Sequence, residues 1–164
     1  MSKRGKAAPD PLRDAVLAND LGRVRALIAE GRSLEETDRD GRTPIFHAVI
    51  DRRREIIDTL IAAGAKVGVQ DRNGHSPLHH AAKQWNVEAA RRLVEAGAPL
   101  DPKDVYGNTP LCEAVFASQG RGEIIQLLLA KGANPDADNN SGMSPRKLAQ
   151  TIANYDEKQF FPAG

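Results

Sequence analysis

The chain has 164 residues and a formal net charge of +1, with 23 Lys and Arg against 22 Asp and Glu. Overall charge therefore gives no support for a nucleic-acid or membrane-surface partner. Hydrophobic residues make up 40% and aromatics only 4%, which suits one domain with an aliphatic core of Leu, Ile, Val and Ala.

The single cysteine, Cys112, excludes an internal disulfide and fits a reducing compartment. No apolar run approaches the length of a membrane span. The basic start MSKRGKAAPD is not followed by the apolar stretch of a secretory signal. A cytoplasmic location is the resulting expectation.

Residues 1–9 are small and polar and read as disordered. Asp10-Pro11 then supplies an N-cap and a first helical position. Leu12, Ala15 and Val16 share one face, and Asn19-Asp20 breaks this short helix. A second helix runs from about Leu21 to Glu30, with Val24, Leu27 and Ile28 apolar and Gly31 as its stop. The polar outer residues Arg13, Asp14, Arg23 and Arg25 suit a capping unit over residues 10–37.

From Asp38 onward the chain repeats itself. DRDGRTPIFHAV, DRNGHSPLHHAA, DVYGNTPLCEAV and the weaker NNSGMSPRKLAQ place Gly41, Gly74, Gly107 and Gly142 at intervals of 33, 33 and 35 residues. Pro44, Pro77, Pro110 and Pro145 keep the same spacing, the mark of a repeat architecture. Within each unit, a turn with Asp first and Gly fourth precedes a Thr/Ser-Pro helix start. A second helix of helical apolar period follows and ends at Gly64, Gly97 or Gly132. The units span 38–70, 71–103 and 104–138, with a capping unit at 139–161. The third unit has two extra residues within 117–122.

These residues resemble the ankyrin repeat. The motif of that family stands here as TPIFHA at Thr43, SPLHHA at Ser76 and TPLCEA at Thr109. The second-helix endings stand as AAGAKV, EAGAPL and KGANPD. The resemblance covers residues 10–161. It implies an all-α ankyrin-repeat solenoid of stacked helix-turn-helix units joined by β-turn or hairpin loops, in a single domain. Three departures stand out. The motif histidine survives only as His79, with Phe46 and Cys112 in its place elsewhere. Trp85 occupies the inter-helix position where the family often has Gly. Gly68, Asp101 and Asp136 replace the asparagine usual after the second helix.

Catalysis is not expected. His79 and Cys112 occupy equivalent positions, and equivalent positions of stacked helices lie roughly 8–10 Å apart, well beyond the contact a nucleophile needs with its base. His47 and His80 are separated in the same way, and His79 and His80 point about 100° apart on one helix. No phosphate-binding loop, dinucleotide fingerprint, zinc-protease or nucleophile-elbow motif is present. No metal or cofactor is expected. Arg52-Arg53-Arg54 reads as a solvated turn that Glu55 and Asp58 can neutralise.

The resemblance implies that partners dock on the concave face formed by the turn tips and the first helices. The outward positions there are Arg39, Asp40, Arg42, Ile50 and Asp51; Arg72, Asn73, His75, Lys83 and Gln84; Val105, Tyr106, Asn108, Phe116 and Ala117; and Asn140, Ser141 and Met143. The first two tips are charged, whereas Val105, Tyr106 and Phe116 make the third apolar, an anchor with a polar rim. The expected function is non-enzymatic binding of another protein, by a chain that is monomeric when free. A chain of repeats alone points to inhibition or sequestration of the partner. The ending TIANYDEKQFF is similar to those of small bacterial ankyrin proteins, some of which are immunity proteins for toxins, so a cognate toxin acting in the cytosol is one expected partner. A general scaffold or regulatory subunit is the alternative. A metal-binding protein or enzyme built on the histidines is the more remote one.

Overall fold

The computed structural model describes residues 10–152 and 156–161. The segment 1–9, expected to be disordered, lies outside the described residues. Nine α-helices and one short 3-10 helix occur among those described: α1 Pro11–Leu17, α2 Leu21–Ala29, α3 Pro44–Ile50, α4 Arg54–Ala62, α5 Pro77–Lys83, α6 Val87–Glu95, α7 Pro110–Ala117, α8 Glu123–Ala130, α9 Pro145–Thr151, and the 3-10 turn Glu157–Phe160.

Helix starts follow the expected local chemistry. Asp10 accepts from the Leu12 amide at 3.0 Å and Asp20 from Arg23 at 2.9 Å. Ser76, Thr109 and Ser144 likewise cap α5, α7 and α9. Among the Thr/Ser-Pro starts Thr43 is the exception: it occupies the N-cap of α3, but its buried hydroxyl makes no capping bond.

The helices form two layers. α1, α3, α5, α7 and α9 pack side by side in one row; α2, α4, α6 and α8 pack in the other. Between the rows lies a core of Leu12, Val16, Leu27, Ile56, Leu60, Leu78, Leu93, Leu111, Ile124 and Leu128, each at most 1% exposed. The short helices could not persist alone. Each derives its stability from apolar area shared with its neighbours along the stack.

The turns hold one another as well. Asp38, Asp71, Asp104 and Asn139 each use one side-chain oxygen to accept two amides of their own turn, at 2.8–3.0 Å. Each tip then bonds the next through the backbone: Arg72 N–H to the Asp40 carbonyl (2.8 Å), Val105 to Asn73 (3.0 Å) and Asn140 to Tyr106 (3.0 Å). The turn glycines take positive φ, 79° at Gly41, 76° at Gly74 and 80° at Gly107, a region that costs other residues steric energy.

The inter-helix turns use the same left-handed conformation without glycine. Trp85 has φ 51°, and Asn19, Arg52 and Gln119 match it at 56°, 56° and 50°. Trp85 is 9% exposed and lies under the Arg121 guanidinium, 4.6 Å from the ring centroid. The two-residue insertion of the third unit thus folds back to cover a bulky residue of the second. The partners of Arg52 and Arg54 in the arginine turn come from along the stack. Arg54 pairs with Glu88 at 3.9 Å and Asp58 with Arg92, while Arg52 donates to the Gln84 carbonyl.

Stacking also accounts for Gly68. At the equivalent positions, Glu35 accepts the Lys66 amide at 2.9 Å and Asp101 accepts the Asn134 amide at 3.0 Å. The residue facing Gly68 is Pro99, which has no N–H to give. A Cβ on Gly68 would stand 2.8 Å from Pro99 Cδ. The acceptor and its donor are missing together. Gly68→Asp is expected to cost about 1–2 kcal/mol from crowding against the rigid ring. In a Pro99→Ala background the cost should largely vanish, because space and a donor then exist. A double-mutant cycle by urea unfolding measures this coupling; purely additive effects would contradict it.

Candidate protein-binding surface

The first-helix row and the turn tips share one face. Arg39, Asp40, Arg72, Asn73, Val105, Tyr106, Asn140 and Ser141, the paired residues before each tip glycine, are all exposed. The side chains diverge in character along the stack. Val105 and Tyr106 are 53% and 67% exposed, and Phe116, at the end of α7 on the same repeat, is 59% exposed. Large apolar groups held open on a rigid scaffold are unusual unless a partner covers them.

Position by position, the sequence expectations divide. Lys83, Asp51 and Phe116 are exposed at helix ends, and Ile50, Gln84 and Ala117 are half-buried. Arg42, His75 and Asn108, expected to point outward, turn instead into the stack. Each reaches the turn residue of the following repeat. Arg42 Nε lies 3.2 Å from Asp71 Oδ2 and His75 Nε2 lies 3.5 Å from Asp104 Oδ2, while Asn139 Nδ2 donates to Asn108 Oδ1 at 2.8 Å. The cause is the fixed repeat spacing, which puts the turn residue of the following repeat beside each of these positions: a buried acceptor at Asp71 and Asp104, a donor at Asn139. Met143, at the same position of the capping unit, is half-buried.

One contributor escaped the sequence reading. Leu17, 45% exposed, ends α1. It is the equivalent of Ile50, Lys83 and Phe116 at intervals of 33 residues. The period, extended back into the first unit, would have found it.

The histidines are structural in their bonding. The Ser76 amide donates to His79 Nδ1 at 3.0 Å, and His79 Nε2 lies 3.0 Å from the Asn108 carbonyl. These partners define the neutral tautomer that carries its proton on Nε2. His79 thereby ties α5 to the next repeat. Burial depresses its pKa to about 4, and that of His80 also to about 4. His47 Nε2 lies 3.0 Å from Asp38 Oδ2. Cys112 is 1% exposed, and burial pushes its thiol up, away from the reactive thiolate.

The structure also gathers donors that comparison of equivalent positions could not see. His75 stands between Asp71 and His80 on one side and Asp104 and Glu113 on the other, with the ligand atoms of each trio within 4.8 Å of one another. Among the described residues no helix is long and apolar enough to cross a membrane.

The comparisons with known proteins agree with this geometry. A family model described as ankyrin repeats, three copies, matches residues 53–139, over half of the chain. No curated protein matches the sequence. The period, the helix-turn-helix stack with its linked tips, and the family match lead to one conclusion: the chain belongs to the ankyrin-repeat family, whose repeats are generally protein–protein interaction modules.

Proposed function

We propose that the chain binds another protein through the face formed by its turn tips and first helices. The carrying observation is the apolar third repeat: Val105, Tyr106 and Phe116, all more than half exposed, beside the charged tips of the first two repeats. Such an arrangement gives an anchor that excludes water and a rim that orients the partner. Arg39, Asp40, Arg72, Asn73 and Lys83 form the rim, with Ile50 and Gln84 at the helix ends between them. Arg42, His75 and Asn108 contribute by fixing the tips, as their bonds within the stack indicate.

The action we propose is non-enzymatic occupancy of the partner's surface, inhibiting or sequestering it in the cytoplasm, with a toxin neutralised by an immunity protein as the specific form. The buried, unreactive Cys112 and the structurally bonded His79 support occupancy over catalysis. Products of genes adjacent to this one are the first partners to test, by pull-down and by relief of toxicity on co-expression.

With a partner in hand, Tyr106→Ala/Phe116→Ala is expected to weaken binding by at least about 1–2 kcal/mol, with circular dichroism and thermal midpoint unchanged. Arg39→Ala/Arg72→Ala should act mainly on the association rate and its salt dependence. Calorimetry and stopped-flow binding separate the two. Unchanged affinity in the aromatic pair would sink the proposal.

A further inference from the structure

We propose that His75, Asp104 and Glu113 form a binding site for a divalent transition metal of the zinc class at the junction of the second and third repeats. The three side chains come from three separate stretches: the tip of one repeat, the first turn residue of the next, and helix α7. Their ligand atoms lie within 4.8 Å of one another. The proposal stands apart from the protein-binding reading and does not depend on it.

The second observation is Glu113. It is 9% exposed, yet among the described residues its carboxyl has neither a hydrogen-bond nor an ion-pair partner. In the motif it takes the place of His47 and His80, on the first-helix face. Its oxygens keep some contact with water, but a carboxyl so largely enclosed without a protein partner still costs free energy. A cation held between Glu113 and Asp104 would supply the missing partner.

Asp104 is prepared for that role. Its Oδ1 is occupied by the amides of Tyr106 and Asn108 at 2.9 and 2.8 Å. Among the described residues, its Oδ2 meets only His75 Nε2, at 3.5 Å. The two backbone bonds fix the carboxylate and leave one oxygen to ligate, the arrangement that supporting contacts give a metal ligand.

The other trio around His75 does not serve. Asp71 Oδ1 accepts two amides, and its Oδ2 faces Arg42 Nε at 3.2 Å and His80 Nε2 at 3.5 Å. The guanidinium already neutralises that carboxylate, so a second cation there would be repelled.

One imidazole and two carboxylates make a donor set for zinc and its neighbours; magnesium prefers oxygen alone and an octahedral shell with several waters. Zinc–ligand bonds of about 2.0–2.2 Å put tetrahedral donors roughly 3.4 Å apart. Modest side-chain rotations bring the three together. His75, with 14% of its side chain exposed, keeps the site accessible, and the fourth position is left for water.

The test uses untagged protein stripped with chelator, then titrated with zinc chloride by calorimetry and with cobalt chloride by visible absorption. The expected result is one metal per chain at micromolar affinity, a raised thermal midpoint, and the intense cobalt bands of four-coordinate geometry. Glu113→Gln and His75→Asn should each weaken binding at least tenfold with circular dichroism unchanged, whereas His47→Asn in the first repeat should bind as the parent does. If one variant fails to fold, the other decides. Absence of saturable one-to-one binding overturns the proposal, as does affinity indifferent to Glu113 and His75.

Discussion

Gly74→Ala is expected to destabilise the fold by about 2–4 kcal/mol, whereas Gly97→Ala costs about 1 kcal/mol. Both glycines have positive φ, 76° and 84°, so both replacements carry the left-handed penalty of roughly 1–2 kcal/mol. They differ in what a new methyl group meets. At Gly97, which ends α6, nothing lies within 4 Å. At Gly74 a Cβ would stand 2.8 Å from Asp104 Cα and 3.0 Å from its carbonyl carbon. Backbone cannot rotate aside as a side chain can, so the tips would separate, at an overpacking cost of about 1–3 kcal/mol.

The same comparison ranks the other tips. Gly107 is as crowded as Gly74, with Asn140 N 2.8 Å away; Gly41 is less so, with Arg72 N at 3.3 Å; Gly142 has nothing within 4 Å. Urea unfolding of the alanine variants should return that order. Equal losses at Gly74 and Gly97 would show that φ alone matters and that the tip-to-tip contact contributes nothing.

This contrast marks where sequence reading succeeds and where it stops. The turn glycines, the Thr/Ser-Pro helix starts and the apolar second helices act through local chemistry, and their spacing alone revealed the stack. That Gly74 is crowded and Gly97 is open depends on the neighbouring repeat, which no local rule describes. The same applies to Arg42, His75 and Asn108. Their place after the glycine suggested an exposed tip, but the side chain that captures each belongs to the next unit, about thirty residues on. Gly68 and Pro99 look like two unrelated departures until stacking brings them into contact. The exposure of Val105 and Tyr106 was legible, because a residue just before a tip glycine has no neighbour to hide it; Phe116 is exposed where its counterpart Ile50 is half-buried. Glu113 was not. In sequence it is one more variable motif position, and only the fold sets it beside His75 and Asp104.

Acidification from pH 6.5 to 4 is expected to remove about 3–5 kcal/mol of stability in metal-free protein. His79 and His80 are each held at about 4 by burial, with His75 disfavouring the charged form of both and Arg42 that of His80. The Asn108 carbonyl, Asp104 and Asp71 oppose the shift at His79, and Asp71 opposes it at His80. His79 has a geometric reason as well. Its Nδ1 accepts the Ser76 amide, and a proton on Nδ1 would set two donors against each other. In the unfolded chain both imidazoles titrate near 6.5. Above that pH neither state is charged and the full stability is present. Below it the unfolded chain takes up protons that the folded chain refuses, so stability falls until the pH reaches about 4. Each pKa unit of separation is worth about 1.4 kcal/mol, giving roughly 3 kcal/mol for the first imidazole and less for its neighbour.

Asp38 and Asp71, whose carboxyls are held below the usual range by turn amides and by His47 or Arg42 against the opposing effect of burial, extend the loss. Their contribution is present above about pH 4 and disappears as the pH falls through their folded values. Glu113, raised by burial, works in the opposite sense and offsets part of the decline. Urea unfolding at pH 7.5, 6, 5 and 4.5 should show a monotonic fall, and the His79 and His80 ring signals should stay in their neutral positions at pH 5. Imidazoles titrating near 6.5 in the folded chain, or a flat stability profile over this window, would remove the basis of the argument, and with it the role of the Ser76–His79–Asn108 chain in joining the second repeat to the third.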